Sequence, residues 1–527
     1  MLSKIKTLLS YLFPYEISSE EKEFTQLNNG AWLNNGRTLA SKQNTVIVEG
    51  HVDCPASIID KARIAKAIEE ETGRTALVYV RGFYFRGSNV AHVYQSFGIK
   101  GFYFWWRNYL NPLVIVPVFY QSLKVFLFSN TGDKLIALNY KGVVIGDLIY
   151  DTLIRFIPNT YTIDKLSLKK HFRLIFRAFY TFHNNEKIIR KYKPKYLVTS
   201  HNVYAEFGLF PRQLRKSNNG VIFLKDIYAY KCYSQDISIN EHFLKVDRNY
   251  FDEKLNDPEY ELAARDYYNA RTSGNISHID VINAYRNKKK YTFDELSHLY
   301  SGVNPSGKNV FVMSHAFSDS PHVGEGILFR DYYDFLQQTL IILNEVKGIN
   351  CFVKPHPSSY MWNEKGGVEA LVENNKLKNI YILPADFNTN SIIDIADSIV
   401  TAKGTAGLEF SCAGIPAVTA GKGYYHGSGI TCEPETVEEY FTALKSLPDI
   451  IPLDEEKIKR ALVMLYMVSK NRQHSEILPE SHIFPGEDYH ALFRGKFAEV
   501  SKKLADGVPM KDSFYERVKS DAERTDV

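Results

Sequence analysis

The stretch VTAKGTAGLEFSCAGIPAV (residues 400–418) decides the fold class, because a strand, a turn of small residues, a helix and a second strand follow one another in it. Its apolar start predicts a buried strand, and the small residues of KGTAG let the backbone turn into a helix. Gly414 closes that helix, and PAVTA (416–420) is the next strand. A strand, a crossover helix and another strand form a βαβ unit, which predicts an α/β fold with parallel sheets.

The same alternation extends in both directions along the chain. In the second half, strands are predicted at 309–315, 350–357, 379–385 and 398–404, and a helix at 331–348. In the first half, strands are predicted at 45–50, 75–82, 196–202 and 220–226, with helices after the first and third of them. The pattern predicts two doubly wound, Rossmann-type domains whose strands end at a shared cleft.

The boundaries follow from changes in composition along the 527 residues. Residues 254–308 are polar, charged and mostly helical in pattern, which is typical of a connection between domains. The predicted segments are an N-terminal helical segment at 1–44, a first Rossmann-like domain at 45–253, the helical connection at 254–308, a second Rossmann-like domain at 309–453, and C-terminal helices at 454–527.

Charge and cysteine content exclude several classes of protein. A net charge of +4 is too small for a nucleic-acid binder. Residues 164–195 nevertheless contain ten basic residues against two acidic ones, a local charge of +8 (ten minus two). This segment is either a solvated helix face or a surface for an anionic membrane or glycan. The five cysteines are scattered without a CxxC pair, which predicts no disulfide framework or zinc site and fits a reducing compartment.

Two apolar stretches bear on membrane contact. In MLSKIKTLLSYLFPY (1–15), the apolar residues from Leu2 to Phe13 share one helical face, which predicts either an interfacial anchor or a helix docked on the protein itself. The run NPLVIVPVFYQSLKVFLF (111–128) is interrupted by Pro117, Gln121 and Lys124. It therefore predicts buried core segments rather than a membrane span.

Two loops of the second half have residues suited to an anion. In FVKPHPSS (352–359), prolines on both sides of His356 stop the strand and hold the histidine at its carboxyl end. Thr405 is placed to cap the next helix or to give its hydroxyl to a phosphate. A proline-rich turn and an ordinary capped helix are the structural alternatives. The phosphate or donor-binding residues predicted from the two loops are Lys354, His356, Ser358, Lys403, Gly404, Thr405, Gly407 and Glu409.

Acid–base candidates lie in loops on both sides of the predicted cleft. MSHAFSDSPHVGEG (313–326) ends a strand of the second domain, and TSHNVYAEFG (199–208) ends one of the first. Loop carboxylates and histidines there suit general acid–base chemistry, although turn and capping roles are the alternative. The catalytic candidates are Asp319, Glu206 and His315, and the acceptor or cleft candidates are His201, His322 and Asp147.

Four segments of the sequence resemble a known family. HAFSDSPH, VKPHPSS, GTAGLEFSCAGIPAV and GYYHGSGIT (423–431) resemble bacterial capsule and surface-polysaccharide glycosyltransferases of the GT-B fold, above all the capsule Kdo transferases. The resemblance is clearest over 309–445. It implies a nucleotide sugar in the second domain, with its phosphate against His356 and Thr405 and its ribose or base near Glu409. It also implies an acceptor bound by 46–230, with no cofactor and no metal needed for the chemistry.

The histidine–proline motif is also similar to that of bacterial sialyltransferases and CDP-glycerol glycerophosphotransferases. Where the latter have a DYSS-type run, this sequence has Lys403-Gly404-Thr405-Ala406, which favours transfer of a sugar over transfer of a polyol phosphate. The resemblance therefore predicts a cytoplasmic enzyme, held at the inner face of the membrane, that moves a sugar such as Kdo from CMP to a lipid-linked glycan. Asp319 or Glu206 would deprotonate the acceptor. The alternatives are a CDP-polyol phosphotransferase, a sugar-nucleotide epimerase, and a non-catalytic scaffold.

Overall fold

A computed structural model of the protein describes residues 17–32, 45–52, 54–80, 89–109, 111–226, 230–273, 288–357, 359, 364, 366–470, 475, 477–478 and 488–526. The predicted anchor at Leu2–Phe13 and the predicted site residue Ser358 lie outside the described residues.

The first domain is built on a six-stranded sheet. Its helices and strands are α1 (Ser19–Trp32), β1 (Thr45–Glu49), α2 (Pro55–Thr72), β2 (Thr75–Val80), α3 (Asn89–Ser96), β3 (Gly101–Phe104), α4 (Pro112–Phe128), α5 (Gly132–Ile136), β4 (Asn139–Tyr140), β5 (Val143–Val144), α6 (Gly146–Phe156), α7 (Leu168–Tyr192), β6 (Tyr196–Thr199), α8 (Tyr204–Asn218), β7 (Val221–Lys225) and β8 (Tyr230–Tyr233).

The order of the large sheet is β3-β2-β1-β6-β7-β8, and β4 pairs with β5 as a separate hairpin. All neighbours in the large sheet are parallel except β8, which runs antiparallel to β7. The residues of β1 and β6 are buried because helices cover both faces of the sheet. The chain changes direction across the sheet between β1 and β6, which is where open α/β sheets form a ligand crevice.

The connection between the domains packs on the second domain. It contains α9 (Arg248–Leu255), α10 (Pro258–Thr272) and α11 (Phe293–Leu299). Phe251 of α9 and Ala264 of α10 share a hydrophobic cluster with Leu408 and Tyr425 of the second domain. Leu296 of α11 is buried in another cluster of that domain. The connection is therefore an outer layer of the second domain.

The second domain is built on a five-stranded, fully parallel sheet. Its elements are β9 (Lys308–Met313), α12 (Tyr332–Glu345), β10 (Ile349–Lys354), α13 (Gly367–Asn374), β11 (Ile380–Ile382), α14 (Ser391–Ile395), β12 (Ser398–Thr401), α15 (Thr405–Ser411), β13 (Ala417–Thr419), α16 (Val437–Lys445) and α17 (Glu455–Lys470). The strand order is β11-β10-β9-β12-β13.

The strand β9 lies at the centre of this sheet, and its last residue is aligned with the last residues of both neighbouring strands. Met313 is opposite Lys354 of β10 on one side and Thr401 of β12 on the other. The loops that follow these three strands therefore leave the sheet side by side. The change of direction lies between β9 and β12, so the ligand crevice is expected at these loops.

The last two helices, α18 (Tyr489–Ala505) and α19 (Ser513–Thr525), return to the first domain. Tyr515 and Val518 are buried in the same cluster as Trp32 and Ile64. The Arg63 guanidinium is fully buried, pairs with Asp512 and donates to the Met510 carbonyl at 2.8 Å, 447 residues away along the chain. The end of the chain therefore completes the core of the first domain.

The predicted fold class is confirmed: two doubly wound domains face a cleft, which is the GT-B-like architecture. The prediction for residues 111–128 was wrong in part. The segment forms one helix, α4, that buries Val114, Val118 and Val125 but leaves six large apolar side chains exposed on its outer side. Proline at 117 is tolerated in the first turns and does not divide the helix. No helix in the described part of the chain has the length and apolar content needed to cross a bilayer.

Candidate functional site

A cavity of about 480 Å³ lies in the cleft, at the carboxyl ends of both sheets. Pockets of this size hold small-molecule ligands in many proteins. The second domain contributes the loops after β9, β10 and β12, and the first domain contributes the loops after β6 and β7. Of the residues predicted from the sequence, those that line the cavity are His201, His315, Asp319, Lys354, His356, Lys403, Gly404, Thr405 and Glu409.

Lys354 is the last residue of β10 and is only 5% exposed. Its side chain lines the cavity, and within the described residues its ammonium has no ion pair and no hydrogen bond. Burial lowers its pKa to about 7, and the positive charge of Lys288 adds to the effect. A buried cation without a counterion is costly, and an anionic ligand in the cavity would remove that cost.

Two residues after Lys354, the histidine of the PHP motif also lines the cavity. Pro355 and Pro357 flank His356 immediately after the strand, as the sequence indicated, and both prolines are themselves part of the cavity wall. The imidazole lies close enough to His315 that its charge lowers the pKa of that neighbour. Lys354 and His356 therefore present two nitrogen groups from one short loop.

The loop after β12 approaches the cavity with its backbone. Gly404 is the N-cap of α15, so Thr405 is the first helical residue and its prediction as the N-cap was wrong. A residue without a side chain fits there because His315 lies close to the position that a Cβ of Gly404 would take. The Thr405 hydroxyl accepts a hydrogen bond from Tyr424 at 3.3 Å and remains on the cavity wall.

Gly407 does not line the cavity. It packs against Tyr425, whose hydroxyl donates to the Gly404 carbonyl at 2.8 Å. The predicted ligand contact is therefore replaced by a packing role, since a side chain at 407 would meet Tyr425.

Lys403 is buried, but its ammonium is engaged within the protein. It donates to the carbonyls of Pro321 (2.8 Å) and Val323 (2.5 Å) in the loop after β9. Burial lowers its pKa to about 8. Lys403 thus holds two of the site loops together, whereas Lys354 has no such partner among the described residues.

The loop after β9 supplies His315 and Asp319. The His315 ring stacks on Tyr332 at 4.1 Å, and its Nε2 lies 3.2 Å from the Thr401 hydroxyl. Burial and the neighbouring His356 and Lys403 place its pKa well below the usual value, so the ring is neutral at pH 7. Asp319 is exposed at the cavity, and its carboxylate accepts a hydrogen bond from Tyr204 of the first domain at 3.4 Å.

Glu409 lines the cavity one turn into α15, and it is held by a residue that the sequence did not reveal. Arg271 of α10 is 3% exposed, lines the cavity, and places its Nε 3.0 Å from the Glu409 carboxylate. The two residues are 138 positions apart, so no local pattern connects them. His242, Asp226 and Tyr424 also line the cavity without having been predicted.

Two carboxylate candidates of the first domain, Glu206 and Asp147, lie outside the cavity. Glu206 pairs with Arg177 at 2.8 Å and does not line the cavity. Asp147 forms a two-pronged ion pair with Arg212, with distances of 2.6 and 2.7 Å. Each carboxylate therefore has a structural partner outside the cavity, and Asp319 is the predicted catalytic carboxylate that the fold brings to it.

His322 lies at a contact between the two domains. Its Nδ1 is 2.6 Å from the buried carboxylate of Asp151, which raises the pKa of the histidine. Burial raises the pKa of Asp151 as well. One residue earlier, Tyr150 donates to Asp331 at 2.5 Å, again across the domains. These contacts hold α6 of the first domain against the loops of the second.

No group of three or more histidine, cysteine or acidic side chains in the described ranges is arranged to hold a metal ion. Metal independence stays a prediction.

The segment 236–451, which contains all the second-domain residues of the cavity, is the part of the chain that comparison with known families recognises. It matches the family described as capsule polysaccharide biosynthesis protein. The resemblance to capsule polysaccharide biosynthesis proteins is therefore confirmed over this part of the chain. No curated protein sequence matches the chain.

The chain also has distant similarity to three solved structures. A beta Kdo 2,4 transferase, KpsC of Thermosulfurimonas dismutans, is 13% identical, with 52% of this chain and 80% of that chain covered and a TM-score of 0.32. A glycosyltransferase of Rickettsia africae is 12% identical, with 89% and 100% covered and a TM-score of 0.28. A UDP-GlcNAc 2-epimerase of Neisseria meningitidis is 12% identical, with 81% and 99% covered and a TM-score of 0.20.

Proposed function

We propose that the protein is a glycosyltransferase of capsule polysaccharide biosynthesis that takes its sugar from a nucleotide donor. The observation that carries the proposal is the Lys354 ammonium, which is buried in the cavity wall without a counterion among the described residues. A donor phosphate in the cavity would supply the missing negative charge. The family match over 236–451 supports a role in capsule synthesis.

The donor phosphate would lie against the loops after β10 and β12. Lys354 and His356 offer positive charge or hydrogen-bond donors from one loop, and the Thr405 hydroxyl offers a third group from the other. When the bond from the sugar to the phosphate breaks, the leaving nucleotide gains negative charge. Fixed donors that face the position of this charge lower the energy of the transition state.

Asp319 is the proposed base. The acceptor hydroxyl would give its proton to the Asp319 carboxylate while its oxygen bonds to the anomeric carbon, and the bonding electrons would leave with the nucleotide phosphate. Asp319 lines the cavity and faces Tyr204 of the first domain, where the acceptor would enter. Glu206 is less suited, because Arg177 engages its carboxylate outside the cavity.

The finer assignment is a CMP-linked acidic sugar such as Kdo, transferred to a lipid-linked glycan without a metal ion. It rests on the motif resemblance and on the Lys403-Gly404-Thr405-Ala406 run. The cavity charges are compatible with it, since Lys354 and His356 would also attract the carboxylate of an acidic sugar.

The first test is a thermal-shift panel of CMP, CDP, UDP, GDP and ADP on the wild type and on His356→Ala. Saturating nucleotide at about 100 times its Kd should add roughly 2.7 kcal/mol to the free energy of unfolding. Stabilisation by one nucleotide that is lost in the variant would support the donor site. If no nucleotide stabilises the wild type, the scaffold alternative takes precedence.

A turnover assay then separates the enzymatic alternatives. The wild type is incubated with the nucleotide sugar of the base that binds, with and without a capsule glycan acceptor. Sugar transfer that requires the acceptor supports the proposal. Turnover of the donor alone to an isomeric sugar nucleotide would instead identify an epimerase, and transfer of a polyol phosphate from a CDP donor would identify a phosphotransferase.

A further inference from the structure

We propose that α4 and the first turns of α7 form a docking surface for an anionic lipid bilayer. The apolar part consists of Leu113, Val116, Phe119, Tyr120, Leu127 and Phe128, all on α4. The cationic part consists of Lys165, which lies just before α7, and of Lys169, Lys170 and Arg173 in the first turns of α7. These ten residues are called the α4–α7 surface below. None of them lines the cavity.

The apolar part is an unusual helix face for the outside of a domain. α4 attaches to the first domain through Val114, Val118 and Val125, which are buried. On the opposite side, exposure ranges from 48% for Phe119 to 85% for Leu113. A surface helix normally carries polar residues on its outer face, so a row of exposed apolar side chains indicates an interaction site.

The cationic part lies directly beside this row. The Phe172 ring of α7 packs against Phe119 at 5.5 Å and against Phe126 at 6.3 Å, which places the first turns of α7 next to α4. The four cations there are exposed, and none has an ion pair with the described residues. The nearby acid Asp164 is instead engaged by Arg330 at 2.6 Å.

An anionic bilayer matches both parts at once. Apolar side chains of a helix that lies in the membrane plane enter the boundary between headgroups and acyl chains, while lysine and arginine contact anionic headgroups. A second copy of this chain fits less well. A two-fold contact centred on α4 would bring two clusters of unpaired cations together, because the partner surface would be the same.

The test is flotation of the full-length protein with vesicles of phosphatidylcholine, alone or mixed with phosphatidylglycerol. We expect binding only to the anionic vesicles and a fall in binding with added salt. Lys169→Gln and Arg173→Gln should each weaken binding about fivefold, since a cation near an anionic surface contributes on the order of 1 kcal/mol. Leu127→Asp should weaken it by about tenfold or more, since a charge replaces an apolar side chain that the bilayer would bury.

Matched controls come from exposed residues elsewhere. Leu262→Asp changes a similarly exposed leucine on α10, and Lys347→Gln changes an exposed lysine of the second domain; neither should alter binding. Leu9→Asp tests the anchor predicted from the sequence. Unchanged melting temperatures would confirm that every variant folds.

Three results would overturn the proposal. The first is absence of binding to anionic vesicles, and the second is binding that only Leu9→Asp reduces. The third is a wild-type dimer in sedimentation velocity that Leu127→Asp converts to a monomer, which would assign the surface to self-association.

Discussion

Replacing Lys354 by methionine should stabilise the empty protein while weakening its binding of nucleotide. The side chain is buried, and its pKa is lowered from 10.5 to about 7 by burial and by Lys288. A difference of this size corresponds to about 4–5 kcal/mol spent on keeping the charge inside the folded protein. Methionine has similar length and no charge, so most of that cost should disappear at pH 7.

The stability advantage of Lys354→Met over the wild type should depend on pH. At and below pH 7 the unfolded chain is protonated and the buried ammonium is disfavoured, so the cost is at or near its full value. As the pH rises from 7 to 10.5, the native lysine is already neutral while the unfolded one still binds a proton, so the stability of the wild type increases. The advantage of Lys354→Met should therefore be largest at and below pH 7 and vanish near pH 10.5.

Urea denaturation at neutral and alkaline pH measures the stability difference, and calorimetry with the stabilising nucleotide measures the affinity. Loss of a charge-assisted hydrogen bond to phosphate should weaken binding by about 1.5–3 kcal/mol. Wild-type affinity should fall as the pH rises above 7, because binding requires the protonated lysine, and this dependence should be absent in the variant.

Lys403→Met is the matched control. Lys403 is also buried, but removing it leaves the carbonyls of Pro321 and Val323 without their donor, which offsets the relief of the charge. The reasoning would be refuted if Lys354→Met were no more stable than the wild type at pH 7, or if it bound nucleotide with unchanged affinity and pH dependence.

Three further predictions concern Asp319 and two residues that support the structure around the site. Asp319→Asn should reduce kcat by about 10²–10⁴, whereas Glu206→Gln should retain most activity because Glu206 does not line the cavity; equal losses in a turnover assay would contradict the choice of base. Gly407→Ala should destabilise the protein by about 1–3 kcal/mol, since the new methyl group meets Tyr425 and disturbs its hydrogen bond to the Gly404 carbonyl. Thermal melting measures the loss, and Gly495→Ala, at a position with open space around it, is the control. Asp151→Asn should remove the stabilisation that protonated His322 gains from the Asp151 carboxylate. In the wild type this stabilisation is present below pH 6.5 and is lost as the pH rises through the raised pKa of the histidine. The prediction would be contradicted if the difference in melting temperature between wild type and variant stayed the same across this pH range.

The strands were predictable because their information is local. The runs that became β1, β9 and β10 are apolar, rich in β-branched or aromatic residues, and bounded by glycine, proline or polar residues. The order of the strands in the sheet depends on pairing between distant segments, which local sequence does not indicate. Only the structure shows that β9 is flanked by β10 and β12, and therefore that Lys354 and Thr405 lie in one cavity. What they bind stays a prediction.

The unpredicted parts of the site depend on long-range contacts. Arg271 and Lys288 belong to a polar segment that resembled a plain connection, and their effect on Glu409 and Lys354 appears only after folding. The sequence likewise showed that 111–128 is apolar without showing which side faces water. For Glu206 the sequence suggested a catalytic role that the structure does not support. Its position after a predicted strand suggested catalysis, but Arg177 of a distant helix pairs with its carboxylate.

The return of α18 and α19 to the first domain has a consequence for synthesis on the ribosome. Arg63 remains buried only when Met510 and Asp512 reach it, and the chain between them includes the whole second domain. At roughly 5–20 residues per second, translation leaves the N-terminal sheet without its last covering helices for tens of seconds. The second domain, encoded later, can complete its core first. The half of the protein that emerges first from the ribosome is therefore finished last, and until then its exposed apolar surface is open to chaperones.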